Sequence, residues 1–478
     1  MPEFNIGKTK TARSALAKLR KPLPYVSGAA EEEKEPVKIR KSRRGKPSEQ
    51  SAPTQKMELT GPGGENHDIV FPTYTPLGKP SNPRLFNLAP PDMSGADSPV
   101  GVVLFTGNTY LGVSNDKGLS FEDLDSSTFL PKISERAVDQ VITYVPGLNG
   151  YAWMMQHGQS AGTNDGNFRL AIARAEELKS DFKKPWKVFD FTSSDFGFKG
   201  LATDRQDLSY TEKFLYLTTN IVGKGRLIIR IALDELNSGK ATPQFTDPLD
   251  GIFDFSDLSQ QNGTDAHMSG IVDDTTLRVV SCHDSSNAYD FHDLVVGKFP
   301  VASDLSSLDP DKVDWLTLGV ANVSAVLSHG DDLWIAWDAA ASAAGDKPFY
   351  PNAHVRIVQA NVSTWKVVSE RQVWNKDYAF AYGTLAVNQA GAIGYGVAVG
   401  GSSDYPNSCF GILGDFIVYY SDTSDTTAQG NGIARWGDYI TVRPSFINQG
   451  KFAAFGYFTK KTSGGAFQTP YYLQYGRP

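Results

Sequence analysis

The sequence predicts an all-β fold: a single β-propeller of seven four-stranded blades, closed by an N-terminal strand and preceded by a disordered basic tail. Strand-like segments recur along the chain, polar glycine-bearing loops lead from them into further β-rich runs, and sustained helical periodicity is missing. The recurring segments begin at Tyr151, Phe214, Leu277, Leu333, Ile393 and Phe452, so the steps are 63, 63, 56, 60 and 59 residues. A four-stranded blade has that length.

Each element follows from local pattern. Phe168–Leu178 resembles Gly225–Leu236, and His354–Ala360 echoes both, with Arg, apolar and small residues alternating as on strands with two unlike faces. Trp186–Phe189 and Trp365–Val368 read as outer strands of two blades. A shorter unit precedes Tyr151, with strands near Val102–Phe105 and Tyr110–Val113, and completes the seven. The last blade lacks an outer strand after Tyr475. His67–Phe71 is the segment expected to supply it and close the ring.

Length and composition agree. The chain has 478 residues, which a repeat fold absorbs as one closed unit. Gly and Pro together number 72, and aromatics make up 12%, a composition suited to short strands and many turns. No apolar run approaches the roughly 18 residues of a membrane-spanning helix. Cys282 and Cys409 fall in different blades, so at most one disulfide is possible and none is required. The N-terminus lacks the continuous apolar core of a secretory signal, so the expectation is cytoplasmic synthesis with specialised export as an option.

Two domains are expected, a tail over 1–60 and a propeller over 61–478. Residues 1–56 hold 14 Lys and Arg against 6 Glu, a balance of +8, which leaves −15 for the remainder of a chain of net charge −7. Ala12, Leu16 and Leu19 are spaced for one or two helical turns, ended by Pro22 and Pro24. Beyond them the charge blocks have almost no apolar content, which predicts disorder. A solvated tail, a nucleic-acid patch and a leader for export or injection machinery are the readings. Without aromatic interleaving, nucleic acid is disfavoured.

Ser114-Asn115-Asp116-Lys117-Gly118-Leu119-Ser120-Phe121 matches the Asp-box, a hairpin turn in which Asp accepts turn amides and Gly permits positive φ. Arg435-Trp436-Gly437-Asp438-Tyr439 opens the final unit, which ends in Tyr471-Tyr472-Leu473-Gln474-Tyr475. Together with Asp139–Tyr144 and Thr203-Asp204, these motifs resemble the sialidase-like propeller superfamily, over roughly residues 95–478. The nearest resemblance is to largely uncharacterised bacterial propeller proteins carrying the Arg-Trp-Gly-Asp-Tyr motif. The resemblance implies a fold and brings no settled activity. Sialidases place an arginine triad, a Tyr–Glu pair and an acid/base Asp at the propeller mouth, and the motif for their first arginine is missing here.

Several constellations compete for a role. Gly158-Gln159-Ser160-Ala161-Gly162 has the nucleophile-elbow spacing, but a glycine-rich loop and a strand follow it where the elbow needs a helix. His267, Cys282, His283, Asp284, Asp290, His292 and Asp293 are the densest group of possible ligands, and His283, His292 and Asp293 would meet if the segment forms a hairpin. Solvated polar residues at a loop tip are the plainer reading. Asp139, Asp204, Asp265 and Asp438 each stand at the start of a blade, where they would converge on the channel and bind a ligand or Ca²⁺, with Arg435 beside them. Local capping of turn amides is the alternative.

The functional expectation is a noncatalytic binding propeller that recognises a glycan or protein. A sialidase-like glycoside hydrolase and an effector delivered through its tail are the alternatives, and no cofactor is required. Catalysis is left undecided, with binding favoured.

Overall fold

The computed structural model describes residues 1–14, 52–53, 55–59, 68–77, 92–108, 110–133, 137–160, 162–301, 304–317, 319, 321–420, 424–427, 429–430, 433–434, 436–437, 439–462 and 465–478. Seven blades surround a central channel, as the repeat predicts. Blade 1 is Ser94–Asp97, Val103–Thr106, Leu111–Ser114 and Glu122–Leu124, and blade 2 is Ala137–Val145, Gly150–His157, Asn167–Arg174 and Lys187–Thr192. Blade 3 is Thr203–Tyr210, Phe214–Ile221, Gly225–Ala232 and Gln244–Phe245, whereas blade 4 has three strands, Asp265–Asp273, Thr276–His283 and Tyr289–Val295. Blade 5 is Val323–His329, Asp332–Ala339, His354–Asn361 and Lys366–Val373, and blade 6 is Ala379–Val387, Ile393–Gly401, Asp404–Ile412 and Ile417–Tyr420. Blade 7 comprises Thr441–Pro444, Phe452–Thr462 and Gly465–Gly476.

The six recurring segments are the second strands of blades 2 to 7. They read as strongly apolar because each packs against a neighbouring blade on both faces, so Tyr151, Ala152, Trp153, Met154 and Met155 are all buried. The apolar core is correspondingly distributed. One cluster joins Leu170 and Phe191 of blade 2 to Leu217 and Ile229 of blade 3, and another joins Leu327 and Ile357 of blade 5 to Val397 and Val418 of blade 6.

One local reading is corrected. The repeated runs after the second strands of blades 2 and 3 do not stay extended, because Ala175–Ser180 and Leu233–Asn237 are short helices. Glu176, Glu177, Asp234 and Glu235 lie in their first turns, where the helix dipole favours carboxylates. Leu178 and Leu236 are buried beneath them.

Ring closure comes from the N-terminal side. Val70–Pro76 runs antiparallel to Gly465–Gly476, pairing Thr73 with Gln474 and Thr75 with Tyr472, and so becomes the outer strand of blade 7. This strand starts later than the expected His67–Phe71, and His67 lies outside the described residues.

The two ends of the basic segment also belong to the propeller rim. Glu3 bridges to Ala288 of blade 4, Asn5–Ile6 pairs with Gln244–Phe245 of blade 3, and Arg13–Ser14 pairs with Lys187–Val188 of blade 2. Gln55–Glu58 adds to Ile417–Tyr420 of blade 6. Edge strands carry unpaired backbone donors and acceptors, and these short additions satisfy part of that row. The helical turn expected from Ala12 to Arg20 begins instead as an edge strand at Arg13–Ser14, and residues 15–51 lie outside the described residues. No helix among the described residues is long and apolar enough to cross a membrane.

Candidate functional site

The channel wall is shaped by β-bulges in the innermost strands. Register shifts lie between Val138 and Gln140 in blade 2, Asp204 and Asp207 in blade 3, Val323 and Ala325 in blade 5, and Ala381 and Thr384 in blade 6. Asp139, Arg205 and Tyr382 take φ values of 41°, 52° and 59° there. An extra residue in one strand re-aims its neighbours, and here Gln140, Gln206, Asp207 and Thr384 line a cavity of ≈ 590 Å³ that includes solvent at its mouth.

Blade 4 contributes differently. Asp257, Leu258 and Gln260 line the cavity in place of its Asp265–Asp273 strand. Ser259–Gln260 runs parallel to Val326–Leu327 of blade 5, Gln260 donates to the Leu208 carbonyl of blade 3 at 2.9 Å, and Leu258 bridges to Met268. The segment is held on both sides, and it carries Asp257 to the cavity wall.

Asp207, Asp257 and Arg443 line this wall, and the Arg226 guanidinium acts on both carboxylates. Asp207 accepts the Leu208 and Leu258 amides, each at 2.7 Å, so both its oxygens are engaged. Arg226 is fully buried and donates to the Arg205 carbonyl, Asn220 and Thr218 at 2.8, 3.1 and 2.7 Å. Asp257 and Arg443 are half-buried and line the cavity, and among the described residues neither side chain forms a hydrogen bond or ion pair. Burial, and then the Asp207 carboxylate, pushes the Asp257 carboxyl well above the ordinary range, while burial raises Asp207 against the pull of Arg443. Gln206 is 1% exposed, and its Oε1 has no partner among the described residues; Arg443 Nε is likewise buried without one. Polar atoms left in this state beside a cavity are sites for water or a ligand.

Beside the cavity, the Arg205 guanidinium lies 5.0 Å from the Phe255 ring centroid and 5.5 Å from that of Tyr439. Phe255 is 43% exposed, and Asn322 donates to its carbonyl at 3.1 Å. An exposed aromatic face flanked by a guanidinium can stack a planar group or the apolar face of a sugar.

The residues expected from sequence are placed as follows. Asp139 sits in the blade 2 bulge, where its N–H donates to Asn108 Oδ1 at 2.8 Å, and exposed Asp204 accepts from Gln156 at 3.5 Å. Neither lines the cavity, whereas Gln140 of the first bulge and Gln206 of the second do. Asp265 lies on blade 4, where His283 Nδ1 contacts it at 2.9 Å. Arg435 and Asp438 lie outside the described residues. His283 and His292 both contact Asp290, at 2.9 and 3.1 Å, whereas Asp293 accepts two bonds from Arg278 at 2.8 and 2.9 Å. Among the described residues no group of three or more His, Cys, Asp or Glu side chains is arranged to hold a metal ion. His292 stacks on Trp365 of blade 5, with ring centroids 3.7 Å apart.

Asp207, Asp257, Gln206 and Arg443 were not singled out by sequence. The available signal was Gln140 and Gln206, each one residue after a left-handed bulge.

No family model matches the chain, and no curated protein does. Among solved structures, a protein of unknown function from Dyadobacter fermentans is similar at 8% identity and a TM-score of 0.42, covering 86% of this chain and 99% of that one. AofleA from Arthrobotrys oligospora is similar at 8% identity and 0.40, covering 73% and 90%. The Dos1 propeller is similar at 10% identity and 0.37, covering 82% and 94%. Likeness at this level carries no statement about activity.

Proposed function

We propose that the chain is a noncatalytic binding propeller that recognises a glycan or a protein partner at the channel mouth. The observation that carries the reading is exposed Phe255, whose ring faces the Arg205 guanidinium, which also faces Tyr439, beside a channel walled by amides and hydroxyls. A glycan is the better fit of the two. Sugars stack their apolar faces on aromatic rings and exchange hydrogen bonds with amide side chains, and Gln140, Gln206 and Gln260 supply three such groups. A sialidase-like glycoside hydrolase is the second reading, favoured by Asp207 and Asp257 at the same wall, since glycoside hydrolysis uses paired carboxyl groups.

A glycan array probed with the full chain, with and without Ca²⁺, separates these readings. Binding without product release, lost in Phe255→Ala, is the expected result. Release of a sugar from the bound glycan would move the assignment to the hydrolase. Binding that survives Phe255→Ala unchanged would remove the channel mouth from the reading.

A further inference from the structure

The cavity behind the mouth presents two opposite charges that do not meet. Asp207 and Arg226 are engaged by the backbone and by neighbouring side chains, whereas the Asp257 and Arg443 side chains feel neighbouring charges but make no direct hydrogen bond or ion pair among the described residues. Charges removed from water are costly unless paired. A lone anion at Arg443 would leave the Asp257 carboxylate without a hydrogen-bond partner, and a lone cation at Asp257 would do the same to Arg443. A ligand carrying both signs satisfies both residues with no change in net charge.

Beyond the partner read at the mouth, we propose that this cavity is a site for a small zwitterion of the amino-acid type, its ammonium against Asp257 and its carboxylate against Arg443. Gln206 Oε1, buried and unpartnered, accepts a further ammonium proton. The planar guanidinium fork suits a carboxylate held by two parallel bonds. An ammonium beside Asp257 also favours its ionised form, which burial and Asp207 oppose in the empty cavity.

The test is calorimetric titration of the full chain with glycine, L-alanine and L-glutamine, and with their N-acetyl and C-amide derivatives. Free amino acids should bind saturably, and each capped form should bind at least about tenfold more weakly, the loss of one charge-assisted contact. Asp257→Asn should abolish discrimination against the N-acetyl form, and Arg443→Gln discrimination against the amide. If a variant fails to fold, the capped series on the wild-type chain decides alone. Equal binding of free and capped forms, or no binding of any free amino acid up to about 10 mM, overturns the proposal. The glycan array reads the mouth independently, so either idea can fail without the other.

Discussion

Asp97 in blade 1 accepts a 2.6 Å hydrogen bond from Ser445 in blade 7, across 348 residues of sequence. The same carboxylate accepts the Phe446 amide at 2.6 Å and longer bonds from Tyr472 and Gln474 at 3.3 and 3.4 Å. Thr441 adds a 2.8 Å bond to the Met93 carbonyl. One fully buried acid therefore stitches the first blade to the last. Replacing it with alanine strands the Ser445, Phe446 and Gln474 donors, and a loss of about 2–4 kcal/mol is expected in denaturant unfolding.

Asp97 also sets a pH dependence. Burial pushes its carboxyl from 3.8 to about 6, against the pull of its Ser445 and Phe446 donors. The folded state therefore holds this proton more tightly than the unfolded state, and the contribution present below pH 3.8 is lost as pH rises through 6. Asp97→Asn should flatten that part of the stability profile. An unchanged profile between those pH values would sink the assignment.

The Ser114–Phe121 turn is expected to matter for closure as well. Asp116 accepts the Leu119 and Ser120 amides at 3.1 and 3.0 Å, and Gly118 donates to Ser114 at 2.9 Å. Gly118 has φ +83° and abuts Tyr472 of blade 7, where a Cβ would come within 2.2 Å of the ring. Gly118→Ala combines backbone strain with a clash, so a loss of about 2–4 kcal/mol should appear in thermal or urea unfolding.

The N-terminal rim strap offers a local test. Phe4 is 5% exposed and sits 4.2 Å from the Arg230 guanidinium, which lies 4.4 Å from Phe214 on another side. Its amide donates to the Asn287 carbonyl, and the Tyr289 amide donates to Pro2. In Phe4→Ala, amide exchange at residues 4 and 289 should accelerate by more than about tenfold while blade 7 stays protected. Uniform acceleration across the ring would show that the strap is no separate unit.

On blade 4, His283 lies between Asp265 and Asp290, both at 2.9 Å. The Asp265 bond, opposed by burial and aided by Asp290, raises its imidazole from 6.5 to about 9. Its stabilising contribution is complete below pH 6.5 and lost as pH rises through 9. An NMR titration should place the His283 midpoint near 9 and show it falling in Asp265→Asn. A midpoint near 6.5 in the wild-type chain would contradict the clamp.

Much of the fold was legible because a blade repeats a local pattern. The anchor segments read as strands since Trp153, Leu217 and Ile335 are packed on a neighbouring blade, and the closing strand was anticipated because Gly465–Gly476 would otherwise be an open edge. The site was less legible. Sequence set Asp139 beside Asp204 as equivalents, but the two residues with matching left-handed φ are Asp139 and Arg205. A shift of one residue changes which side chain faces the channel. Asp257 gave no signal at all, because it reaches the wall on a segment held by Leu208 and Val326 of two other blades.

By itself the sequence determined the seven blades, the apolar second strands, the Asp116 turn and the origin of the closing strand, all of which depend on residues near one another or on a repeat. Only the tertiary structure decided that Asp97 meets Ser445, that Phe4 seals Arg230, and that Asp257 and Arg443 share one cavity without a direct contact. Those relations join residues far apart in the chain, and they are set by bulges and blade packing that no local pattern records.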